Sequence, residues 1–153
     1  MKSLYIYCFL IVLSFVNTSC LKANLDELET YEVNDITNVR FEYRWWDEVD
    51  KRMRVQEMEV EKTIDYDKKE VNCTILVPET NLTFTSDIRE KVSISELAIN
   101  VDISTAARIS PIGDSPVMGV FPSDFSAKEF TYAVMSGNGS VANWKIKILD
   151  FKK

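Results

Sequence analysis

Histidine is absent from this chain of 153 residues. That removes the Ser-His-Asp and Cys-His catalytic machineries, and with them any His-ligated zinc. A basic excess is also missing: 18 Lys+Arg stand against 24 Asp+Glu, a formal net charge of −6 with a pI near 4.8. Such a balance argues against a nucleic-acid footprint and against a polybasic membrane patch, so no nucleic-acid partner is expected. No apolar run reaches the roughly 20 residues that span a bilayer. Glycine and proline number four each, and 46% hydrophobic with 27% charged residues is an ordinary globular composition. One domain is the default at this length.

What the chain does have begins at its start. Met1-Lys2-Ser3 places one positive charge before the nearly continuous apolar stretch Leu4–Val16, which fits the h-region of a secretory signal. Asn17-Thr18-Ser19-Cys20 follows. The stretch resembles a lipobox, with Asn17 where an aliphatic residue is usual. It implies a lipoprotein signal peptide over 1–19 and lipidation of Cys20, whose thiol takes diacylglycerol and leaves an acylated, palmitate-bearing N-terminus in the membrane. The alternative is an ordinary secretory signal with Cys20 incidental, for which Asn17-Thr18-Ser19 is a poor small-x-small cleavage site. Of the three cysteines, Cys8 leaves with the signal and Cys20 takes lipid, so Cys73 stands alone without a disulfide partner. Alternating in step with Val71, Ile75 and Val77, it is expected as a small buried apolar residue rather than a reactive thiol.

Residues 20–35 read as the lipidated cysteine and an acidic tether, with Asp26, Glu27, Glu29, Glu32 and Asp35. Acids placed after a lipidated cysteine resemble the surface-export tag of Bacteroidetes lipoproteins, though here they begin later than usual. From Ile36 the periodicity is two. Val39, Phe41, Tyr43 and Trp45 alternate with Arg40, Glu42 and Arg44, which predicts a half-buried strand with the odd positions inward. Asp47–Lys51 suits a hairpin turn. A second strand is expected from Met53 to Lys62. Its apolar phase shifts between Val55 and Met58, as a β-bulge near Gln56-Glu57 would cause. Asp65–Lys69 makes a turn, and Val71–Val77 a strand ended by Pro78. Asp87 and Glu90 have capping-box spacing for one helical turn. Further strands are expected over Leu97–Ile103 and around Arg108-Ile109, then a Pro-rich loop from Pro111 to Pro122. A hairpin of Phe130–Val134 and Trp144–Ile148 closes the chain around Asn138-Gly139, a pair that tolerates positive φ. About seven short strands without a long helix predict an all-β, antiparallel β-sandwich over 36–150.

Ala107-Arg108-Ile109-Ser110-Pro111, Asp124-Phe125-Ser126, Phe130-Thr131-Tyr132-Ala133-Val134, Gly139-Ser140 and Trp144-Lys145-Ile146 occur in that order. Together they resemble the ending of Ig-like repeats in Bacteroidetes surface lipoproteins. With Ser19-Cys20-Leu21-Lys22 and Ile36–Phe41 added, the chain resembles a small lipoprotein family of unknown function in that phylum, carrying one Ig-like β-sandwich. Asn138 stands where that pattern usually has an acidic residue. The resemblance implies an Ig-like fold and an envelope location, an outer-membrane lipoprotein facing the cell surface rather than the periplasm. Larger relatives accompany polysaccharide-uptake systems as spacers or glycan binders. No functional residues come with it.

The most suggestive local feature is Trp46. With Trp45 inward, Trp46 falls on the face of Arg40, Glu42 and Arg44. An exposed indole beside charged hydrogen-bonding groups is what sugar recognition uses, since C–H faces stack on the ring while polar groups hold hydroxyls. The competing reading has Trp46 covering a sheet edge or packing under the Pro-rich loop, with the charges as cross-strand pairs. Asp47, Glu48 and Asp50, and Asp65 with Asp67, could offer oxygens to calcium, but neither spacing matches an EF-hand and Asp is a favoured turn residue. Nothing separates a glycosidase-type carboxylate pair from the other acids. The expected function is therefore a non-catalytic binding or accessory module of a glycan-handling system, without metal or cofactor. Its alternative is a structural lipoprotein that docks another envelope protein through a sheet edge.

Overall fold

The computed structural model describes residues 31–153. The expected signal peptide, Cys20 and most of the expected tether lie outside the described residues. Among the described residues eight strands and one short helix follow in the order β1 (Ile36–Asp47), β2 (Arg52–Glu57), β3 (Glu59–Asp65), β4 (Glu70–Leu76), α1 (Ser86–Lys91), β5 (Ala98–Ile103), β6 (Arg108–Ile112), β7 (Glu129–Met135) and β8 (Val141–Lys152). They form a β-sandwich of a three-stranded sheet, β2-β1-β5, and a five-stranded sheet, β3-β4-β8-β7-β6. Among the described residues no helix is long and apolar enough to cross a membrane.

The core is what the alternation dictates. Val39, Phe41 and Tyr43 from β1, Val71, Cys73 and Ile75 from β4, Phe130, Tyr132 and Val134 from β7, and Trp144, Ile146 and Ile148 from β8 are all buried. Each large side chain so buried contributes about 1.5–3 kcal/mol. Phe125, from the loop before β7, makes edge-to-face contacts with both Phe41 and Phe130 at 5.3 Å and ties the two sheets together.

Four local expectations are corrected. The phase shift in Met53–Lys62 is not a bulge within one strand, for the chain leaves one sheet and enters the other there. β2 pairs with β1, β3 pairs with β4, and Met58 between them is buried with its N–H donating to the Phe41 carbonyl at 2.8 Å. A change of phase marks a change of the face that is inward, and a bulge and a sheet crossing leave the same trace. The sandwich is also not wholly antiparallel, because β4 and β8 run parallel. The tight β7–β8 hairpin sets the direction of β8, and β4 lies along its other edge. Asp87 and Glu90 form no capping box: α1 starts after Thr85, which makes no side-chain cap. In the closing hairpin Gly139 alone takes a positive φ, +87°, while the Asn138 carboxamide accepts the Ser140 N–H at 2.9 Å.

The two other hairpin turns share one device. Asp47 accepts the N–H groups of Val49 and Asp50, Asp65 accepts those of Asp67 and Lys68, and each turn ends on a lysine with positive φ, Lys51 and Lys69. At the start of β1 the expected tether ends docked rather than solvated. Tyr31 O accepts from Asn138 N, Asn34 O accepts the Trp144 indole N–H at 2.9 Å, and Asp35 pairs with Lys69 at 2.7 Å. The chain thus enters at the end of the sandwich that carries the β3–β4 and β7–β8 turns. The β1–β2 turn lies at the other end, because β1 runs 12 residues without reversal.

Candidate functional site

Strand alternation places Arg40, Glu42, Arg44 and Trp46 on the outer face of the three-stranded sheet. Three of the four are committed within the fold. Arg44 is paired with Glu42 and donates to the Gly119 carbonyl at 3.0 Å, which fastens the Pro-rich loop over β5. Gly119 N in turn donates to Ile99 O at 2.8 Å. Arg40 pairs with Asp102 on β5 at 2.7 Å. The Asp102 carboxyl is held below the usual carboxylate range, chiefly by the Asn38 amide and then by Arg40. Arg40–Asp102 is a cross-strand pair of the kind the competing reading expects, whereas Arg44 and Glu42 pair along β1 itself. Trp46 is different: it is 51% exposed, faces Met53 across the β1–β2 pair, and continues into Val55 opposite Arg44. It is not buried.

Trp46 is also at the mouth of a cleft of about 600 Å³ at the end of the sandwich, between the β1–β2 turn and the segment 82–91. Trp45 lines the cleft from inside. It stacks on Tyr43 with centroids 6.2 Å apart and packs on Phe84 at 5.8 Å. Val49, in the β1–β2 turn, and the fully exposed Leu82 also line the cleft. Single exposed apolar side chains are ordinary on a protein surface; it is the aromatic wall of the cleft, with polar groups beside it, that resembles a ligand site.

The acids of the cleft are paired within the β1–β2 turn, while Lys91, which also lines it, has no ion pair among the described residues. Arg54 bonds Asp47 at 3.0 Å and also pairs with Asp50, and Lys51 pairs with Glu48 at 2.7 Å. The Asp47 carboxyl is pulled below the usual range first by the Asp50 N–H and next by Arg54. Its oxygens serve the turn and the guanidinium, which leaves them poorly placed for calcium. Among the described residues no cluster of three or more His, Cys, Asp or Glu could hold a metal ion. The arrangement can stack an apolar face on an indole and offer hydroxyls and charges to polar groups beside it.

Sequence reasoning missed Trp45, Arg54, Val49 and Leu82. Trp45 was expected inward, and it is, but at the open end of its sheet the inward face meets the cleft. Leu82, an isolated apolar residue between Asn81 and Thr83 in a turn-rich stretch, was the one available sign.

Comparison with known proteins places residues 36–147 on a family model described as DUF5018-related. The fold is similar to the crystal structure, at 1.81 Å resolution, of a "putative secreted protein" from Bacteroides fragilis NCTC 9343. That likeness has a TM-score of 0.70 at 32% sequence identity, covering 81% of this chain and 99% of the other. No curated protein matches the chain.

Proposed function

The chain belongs to the DUF5018-related family, and from that premise and the geometry of its cleft we propose that it is a lipid-anchored, extracytoplasmic, non-catalytic carbohydrate-binding module. The observation that carries the reading is the pair of indoles, Trp45 and Trp46, at one cleft whose acids are already paired. Sugars are held by stacking and neutral hydrogen bonds, and such a site meets both needs. The location is supported by the signal-like start and Cys20, and by a similar Bacteroides fragilis protein that is itself described as secreted. An anchor at Cys20 would suit the architecture. The chain enters at one end of the sandwich and the cleft opens at the other, about 36 Å away along β1, facing outward from an outer membrane.

A glycan array probed with the chain from Leu21 onward, beside its Trp46→Ala variant, tests the reading. The expected result is binding of longer glycans that the variant weakens while its stability changes by less than about 0.5 kcal/mol, as for an exposed side chain. An array blank for both proteins refutes it. One observation favours the second reading, docking of an envelope protein. β2 is the outermost strand of its sheet, and its exposed Met53 and Val55 lie beside that edge. Docking along that edge would survive Trp46→Ala, which separates the two readings.

A further inference from the structure

Trp45 and Trp46 are neighbours in a strand, so their side chains leave it on opposite faces. The contacts agree: Trp45 packs inside on Phe84 and Tyr43, and Trp46 stands outside opposite Met53. Yet both line the same cleft. The cleft therefore folds over the end of the three-stranded sheet, with an indole on each side of it. No single sugar ring can stack on both. We infer that the cleft takes an internal stretch of a neutral glycan chain, laid over the sheet end with one sugar on Trp45 and another on Trp46. This rests on the carbohydrate reading above and adds the mode and the charge class of the ligand.

Two further features support the path. On the outside, Met53 and Val55, both about half exposed, prolong the Trp46 surface along β2, so a chain leaving the cleft keeps apolar contact. Val49 and Leu82, which also line the cleft, are almost wholly exposed, so the cleft is open to solvent there. The charge class follows from electrostatics. The carboxylates of the β1–β2 turn are each matched by Arg54, Arg52 or Lys51, so the cleft has no unpaired acid demanding a cation. Lys91 is the one lining charge without an ion pair among the described residues, a single cation set against a chain that is acidic as a whole, at −6, which repels polyanions.

The test is calorimetric titration of the chain from Leu21 onward with malto-, cello-, xylo- and manno-oligosaccharides of one to six units, and with oligogalacturonides of the same lengths. The expected outcome is affinity that rises about tenfold or more between one and four neutral sugars. Uronides should bind at least about tenfold more weakly, and neutral binding should change less than about twofold between low and high salt. Trp46→Ala should erase the gain with length while sparing the short sugars. Trp45→Phe, chosen to keep the packing on Phe84, should weaken every length. A monosaccharide bound as tightly as its tetramer would overturn the chain-binding mode and leave the carbohydrate reading standing, as would a preference for uronides overturn the charge class. Absence of binding in all five series would overturn both.

Discussion

The Trp144 indole is sealed in the core, yet its N–H reaches the Asn34 carbonyl at 2.9 Å while Tyr66 meets the ring edge-on and Lys69 lies 5.4 Å from its centroid. One side chain thus fills volume and pins the entering segment to the sandwich. Trp144→Phe removes the donor and part of the volume, and is expected to cost about 2–3 kcal/mol. The reading is a lower urea midpoint at unchanged slope; an unchanged midpoint would disprove the role. Cys73 shows the opposite case, a residue whose chemistry is suppressed. Burial pushes its thiol up to about 11. A group whose folded value is raised stabilises the fold below its unfolded value, about 8.5, and that contribution is lost as pH rises through about 11. Native protein at pH 8 should therefore leave Ellman's reagent unreacted, with one thiol per chain (from Leu21) appearing in urea. Rapid labelling without denaturant would contradict the burial.

At the scale of elements, the hairpins are set by few residues. Gly139 takes φ +87° with open space where a Cβ would stand, so Gly139→Ala tests backbone strain alone. It should destabilise by about 1 kcal/mol, read as a lowered thermal midpoint with strand content intact. Arg44 belongs to the same scale, since its bond to Gly119 O holds the Pro-rich loop to the sheet. Arg44→Ala should speed hydrogen exchange at Gly119 and its neighbours and leave β7 and β8 protected. Unchanged exchange there would show that the loop is held by other contacts. Strand positions, the Asp-led turns and the Asn138-Gly139 hairpin were legible because alternation and turn chemistry are local. The break at Met58 was legible as a place but not as an event, because phase alone cannot say which sheet a strand joins.

For the whole molecule, acid is the expected route to unfolding. Asp47, Asp65, Glu70, Asp102 and Asp124 all have carboxyls below the usual range, held there mainly by backbone N–H groups and by partners such as Lys147, Asn38 and Ser126. Depressed values stabilise above the unfolded value near 4 and lose that contribution as pH falls through the folded value. Circular dichroism should show stability flat from neutral pH to about 5 and declining below about 4. A maximum near the pI would contradict this. The anchor has its own test at this scale: Cys20→Ala should release the protein from membranes, and retention would refute lipidation.

Alternation and turn residues by themselves determined that the chain is a β-sandwich, which strand side chains fill it, and that Cys73 is buried. Each of these follows from the pleat, whose two-residue period is written in the order of residues. The candidate site was only half legible. Trp46 could be placed on the outer face with Arg40, Glu42 and Arg44, because neighbours on one strand face are fixed by parity. That Arg40 would be taken by Asp102 and Arg44 by Gly119 depended on β5 and its loop packing beside β1. Likewise, Leu82 and Trp45 come together only because β2 and β3 part at Met58 and the chain after β4 closes over the end of the sheet. Contacts across such sequence distances arise from how the sheets are stacked and connected, and no periodicity within a strand encodes them.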